Sequence, residues 1–117
     1  MRGHSEEERR EIPKVRIIES EEVFFDSEGF INDFDQWSEA LFEILARESG
    51  LLVIDDRHRR VIKYLRQFFA INGRAPLNRL LREGTGMSLS EIEKIFPGGV
   101  KYGARRLAGL PNPRGCL

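Results

Sequence analysis

The stretch "RHRRVIKYLRQFFAINGRAP" admits little other than a helix and its end. Val61, Ile62, Leu65, Phe68 and Phe69 recur at helical spacing over more than two turns, from a start near Asp56. Their apolar face is too wide for a surface helix, which places this segment at the centre of the core. "NGRAP" stops it: Gly73 suits the C′ position, and Pro76 suits the first turn of a following helix. Everything else in the chain must pack around this one element.

Shorter amphipathic pieces flank it. Trp37, Ala40, Leu41, Ile44 and Leu45 form one helix face, with Asp35 as the expected N-cap and Gly50 as the stop. Leu77, Leu80 and Leu81 line a helix after the Gly73 turn. Ser88 and Glu91 form a capping box, with Met87 and Ile92 at the spacing of a hydrophobic staple. Pro97 ends that helix, and a last one over about Lys101–Ala108 buries Ala104, Leu107 and Ala108 before Gly109. Upstream, "KVRIIES" and "EVFFD" are β-type in composition, and "DSEG" predicts a hairpin of Glu22–Asp26 with Gly29–Asn32. The fold class is therefore mainly α: an N-terminal β-hairpin followed by an orthogonal bundle of about five helices. Residues 1–12 read as a disordered tail, 13–109 as one domain, and 110–117 as a mobile C-terminal arm stiffened by Pro111 and Pro113.

Net charge is zero, but the halves differ sharply. Residues 1–55 hold 6 Lys/Arg against 15 Asp/Glu, whereas residues 56–117 hold 13 against 4. Either the halves attract and close the fold, or the basic half meets an acidic protein or a nucleic acid. No apolar run reaches the ~20 residues that span a bilayer, so no membrane insertion is expected. "MRGHSEEERRE" has no apolar stretch of a secretory signal. One cysteine and two separated histidines supply too few ligands for a metal, and neither metal nor cofactor is expected. "REGTGMS" lacks the spacing of a phosphate loop. His58 reads as a surface or partner-facing residue. Trp37, Phe68 and Phe69 read as core packing rather than a ligand pocket.

The single cysteine, Cys116, sits in "GLPNPRGCL" and cannot form an internal disulfide. A thiol that stays reduced fits a cytoplasmic location. Six residue steps from Leu110 give the arm a reach of about 20 Å. That is the outline of a nucleophile carried on a tether into another protein's active site. Arg105, Arg106 and Arg114 favour the thiolate and attract acidic partners, whereas the carboxylate of Leu117 opposes the anion. Basic residues also suit the dipole at a helix end, so solvation alone accounts for Arg105 and Arg106 equally well. Lys101 and Tyr102 stand at the base of the arm and are expected to anchor it when retracted, and Lys101 joins the three arginines as a partner- or anion-binding residue. An alternative class uses the helix-turn-helix outline around "NGRA", where Arg74, Arg79 and Arg82 would contact DNA.

"FPGGVKYGARRLAGLPNPRGCL" resembles the C-terminal signature of the DsrC/TusE family, the gamma subunits of dissimilatory sulfite reductase and the sulfur-relay proteins of tRNA 2-thiouridine synthesis. "DSEGFINDFDQWSEALFEILARESG" and "RHRRVIKYLRQFFAINGRAP" are similar to that family's hairpin, first helix and central helix. The resemblance spans about residues 15–117. It implies that Cys116 is the family's penultimate sulfur-carrying cysteine, with a sulfur-donor protein and a sulfur-acceptor enzyme as partners. It also implies a second cysteine eleven positions earlier in sulfite-reducing members, where this chain has Arg105. A one-thiol chain therefore resembles the relay type, and docking as a sulfite reductase gamma-type subunit is the alternative.

Overall fold

The computed structural model describes residues 14–112. Strands β1 (Lys14–Ile18) and β2 (Glu21–Phe25) form an antiparallel hairpin in which Val15 faces Phe24 and Ile17 faces Glu22. The expected hairpin was displaced by one strand. The tight turn is Glu19–Ser20, both with positive φ (51° and 72°), which two non-glycine residues give no cause to expect. The Gly29–Asn32 segment meets β2 only at one bridge, Phe25 to Ile31. Ile18, Val23 and Phe25 turn one face of the hairpin into the core.

Asp33 caps a short 3-10 turn, Phe34–Gln36. Helix α1 (Glu39–Glu48) follows, capped by Ser38, whose Oγ accepts from Leu41 N at 3.1 Å. The cap is thus Ser38 and not Asp35: the 3-10 turn takes up Asp35 and leaves Trp37 just outside the helix. Helix α2 (Asp56–Asn72) is the central element, closed by Gly73 in the left-handed conformation. Its Val61 and Leu65 are fully buried. Asp55 and His58 cap its start reciprocally. Asp55 accepts from Arg57 N at 2.9 Å, and His58 Nδ1 accepts from Asp55 N at 3.0 Å. His58 is 4% exposed, donates from Nε2 to Ile95 O at 2.8 Å, and meets the Phe96 ring edge-on. The surface role expected for it is overturned, because a capping imidazole shared between two helices has no free nitrogen for a partner.

Helix α3 (Asn78–Thr85) begins two residues after Pro76, at an N-cap, Leu77, that offers no side-chain acceptor. Leu77 is exposed and Leu81 buried. Helix α4 (Leu89–Ile95) is capped by Ser88, which accepts from Glu91 N. Helix α5 (Gly99–Arg105) is wound as a π-helix and ends the core with Leu107, Ala108 and Leu110, all essentially inaccessible. Gly103 allows this close packing, since a Cβ there would lie 2.6 Å from the Pro97 carbonyl oxygen. Among the described residues, no helix is long and apolar enough to cross a membrane, and no side-chain cluster is suited to a metal.

Candidate functional site

The geometry of interest is the place where the chain leaves the domain. The carbonyls just past α5 need donors that no further turn supplies. Trp37 Nε1 donates to Leu107 O at 2.8 Å, and Arg66 Nη1 donates to Ala108 O at 2.9 Å. Arg66 also donates to Phe34 O at 3.3 Å and lies over the Phe34 and Trp37 rings, at 3.9 and 4.3 Å from their centroids. Its burial lowers its pKa, opposed by the charge of Asp35. A cation at a helix C-terminus is favourable, and the two rings compensate it for lost water.

Gly109 completes the joint. It has φ of +77°, and a Cβ would fall 2.7 Å from Trp37 Cδ1. Leu110 N then donates back to Arg105 O at 3.2 Å, and the Leu110 side chain is buried. Asn112 Nδ2 donates to Asp26 Oδ2 at 2.9 Å. Asp26 is itself buried behind β2, where its Oδ1 accepts from the backbone N–H groups of Glu28 and Phe30, each at 2.9 Å. The chain is therefore tied down from Leu107 to Asn112 by Asp26 after β2, by Trp37 at the end of the 3-10 turn and by Arg66 of α2.

Beside Asp26 opens a groove of about 520 Å³, bordered by Lys14, Arg16, Phe25, Glu28, Glu48 and Arg106. Arg16 and Glu48 form a two-pronged ion pair across it, at 2.9 and 2.7 Å. Arg106 donates to Tyr102 O at 2.7 Å and to Ser49 Oγ. Tyr102 donates to Glu28 at 3.1 Å and packs edge-on against Phe30. Lys101 is exposed, with its Nζ 4.9 Å from the Tyr102 ring centroid. A second groove, about 300 Å³, lies between α1 and α2 beside Trp37, Phe42, Arg59 and Arg66.

Arg105 and Arg106 do not act as a pair. Arg106 faces the groove, while Arg105 reaches the α2–α3 turn, where Nη2 donates to Pro76 O at 3.3 Å and Nε is buried without a partner among the described residues. Burial lowers the pKa of both; for Arg106 the charge of Glu48 opposes the shift. Arg74, Arg79 and Arg82 are exposed around α3, and Arg79 lies 3.9 Å from Glu83. Cys116 and Arg114 lie outside the described residues, as does the reading of residues 1–12.

A family model described as DsrC like protein matches residues 17–117. The chain belongs to the DsrC family. Among relatives of this DsrC-family chain, the gamma subunit of dissimilatory-type sulfite reductase from Nitratidesulfovibrio vulgaris is 37% identical over 92 residues, 79% of this chain and 88% of that protein. The sulfurtransferase TusE of Salmonella typhimurium is 31% identical over 108 residues, 86% of this chain and 98% of that protein. Among solved structures, the oxidized gamma subunit from Archaeoglobus fulgidus superposes with a TM-score of 0.77 at 31% identity, covering 89% of this chain and all of that one. A structure described as dissimilatory sulfite reductase I gives 0.82 at 34% identity, with the same coverage. With one cysteine, no disulfide can form within this DsrC-family chain.

Sequence reasoning missed Asp26, Arg66, Gly109 and Asn112 as the residues that hold the exit. For Asp26 a signal existed: an aspartate opening "DSEG" commonly accepts from the backbone two residues on. Asn112 carries no local signal, because its partner is 86 positions away.

Proposed function

We propose that this chain is a sulfur carrier in which Cys116 holds one sulfur atom as a persulfide between a donor protein and an acceptor enzyme. Family membership together with a single cysteine carries this reading. The Cys116 thiolate attacks the outer sulfur of a donor persulfide. A new S–S bond forms at Cys116, the donor's S–S bond breaks, and its electron pair leaves with the donor thiolate. No outside oxidant is needed. The acceptor's nucleophile then takes the same sulfur in the same way, which returns Cys116 as thiolate.

The tied-down exit supports a short tether. With Asn112 bonded to Asp26, four residue steps remain to Cys116, a reach of about 14 Å rather than the 20 Å counted from Leu110. The domain's work is then to present the residues beyond Asn112. Relatives named as a sulfite reductase gamma subunit and as a TusE sulfurtransferase define the two classes of partner, a reductase and a sulfur relay. Arg105 at the position of the second family cysteine favours the relay, because a docked thiol would lack a resolving partner. Nothing around α3 supports nucleic acid as a partner.

The test is intact-mass spectrometry of the reduced protein after incubation with a cysteine desulfurase and cysteine, or with a small persulfide. One added sulfur, removed by reductant and absent from Cys116→Ser, is expected. A wild-type protein left unmodified by several donors would overturn the reading.

A further inference from the structure

The two outer edges of the hairpin are treated differently. In β2 the backbone groups that point away from β1 belong to Glu22 and Phe24, and both are used. The Gln36 side chain imitates a strand there: its Nε2 donates to Glu22 O at 2.8 Å and its Oε1 accepts from Phe24 N at 3.2 Å. Asn32 N then donates to Phe24 O at 2.8 Å. Three of the four outward groups on that edge are thus engaged, the Glu22 N–H being the fourth.

On β1 the outward groups are those of Val15 and Ile17, because their opposite numbers Phe24 and Glu22 also point outward. No described residue bonds to them. The side chains on the same strip are apolar and exposed: Val15 50%, Ile17 64% and Phe24 39%. All three share the face turned away from the core, since directly opposed residues lie on one side of a sheet. Edges are ordinarily protected by charge, proline or cover. Among the described residues, this one presents an unpaired ladder flanked by an apolar strip.

We infer that β1 is the docking site for a second copy of the chain, joined edge to edge and antiparallel about a two-fold axis through Arg16. Register decides the pairing. With Arg16 at the centre, Val15 lies opposite Ile17 of the second copy, and every outward N–H and C=O at those positions gains a partner. Both apolar strips fall on one side and join. A register centred on Val15 needs Pro13, which has no N–H to give. One centred on Ile17 needs Glu19, which has left the strand for the left-handed turn. The strand is complementary to itself in one register alone. The like charges brought together, Arg16 against Arg16, each enter already paired with their own Glu48.

This contact does not use Cys116, so it stands apart from the sulfur-carrier reading. A single pair of five-residue strands is small beside the roughly 1,200 Å² of a stable interface, so the association is weak and needs concentrated protein. The experiment takes the full chain with Cys116→Ser, in reductant, through sedimentation over a dilution series of about a hundredfold from the high-micromolar range. The average mass is expected to rise from 13.5 kDa toward twice that value. Amide exchange at Val15 and Ile17 should slow in parallel, and Val15→Lys or Ile17→Lys should each weaken association by about tenfold or more with the helical spectrum unchanged. A mass that stays monomeric would overturn the proposal, and so would a dimer indifferent to both substitutions. Protection of these two amides that is independent of concentration would equally overturn it, since it would show the edge covered by residues of the same chain.

Discussion

Gly109 concentrates three demands on one residue: a positive φ, contact with the only tryptophan, and a place directly before the chain's exit. Gly109→Ala meets both a left-handed backbone penalty and a Cβ 2.7 Å from Trp37 Cδ1. A loss of about 2 kcal/mol is expected from the two together. Urea unfolding followed by tryptophan fluorescence checks it, and a shifted native emission would show that the Trp37 bond to Leu107 is lost as well. An unchanged midpoint would mean that Trp37 moves aside freely and clamps nothing. At this scale the sequence was half legible. Trp37, Leu65 and Leu107 announce themselves as packing residues by spacing. Arg66 and Asn112 do not, because a guanidinium among the polar positions of a helix looks like any solvated cation until its distant carbonyls are known.

Elements were legible wherever their signals are local. The central helix, its Gly73 end and the Ser88 cap follow from neighbouring residues, so tertiary structure had little to overrule. The hairpin slipped by a strand because its turn is made of Glu19 and Ser20, which adopt positive φ only under the constraint of the paired strands. The start of α2 carries a pH prediction. The Arg57 side chain, with the backbone N–H groups of Arg57 and His58, holds the Asp55 carboxyl down at about 2, below its ordinary 3.8. A folded value below the unfolded one means that the ionised group favours the fold. Its contribution is complete above pH about 4 and is lost as the pH falls through about 2. Asp55→Ala should therefore melt below wild type at pH 7, with the two converging as the pH is lowered toward 2. Asp55→Asn, which keeps an acceptor for the cap, should lose less. A wild-type advantage that persists unchanged at pH 2 would show that the neutral acid caps as well as the anion.

At the scale of the molecule, the opposition between an acidic first half and a basic second half asks whether charge closes the fold or serves encounters. Among the described residues, the ion pairs that join the halves across elements are those of Arg59 with Glu39 at 2.6 Å and with Glu43 at 3.5 Å, and all three side chains are largely exposed. Pairs of that kind add little to stability and are screened by salt. Meanwhile Lys63, Arg74, Arg82, Lys94 and Lys101 stand exposed with no carboxylate within ion-pair distance among the described residues. The fold therefore spends few of its cations on itself, and the surplus is free to act at a distance. Raising salt from about 20 to about 500 mM should leave the melting temperature nearly unchanged while slowing sulfur transfer from a protein donor by about tenfold. Transfer from a neutral small persulfide should not slow, which separates steering from any effect on the thiolate. A large fall in melting temperature with an unchanged protein-donor rate would assign the charge asymmetry to closure of the fold instead.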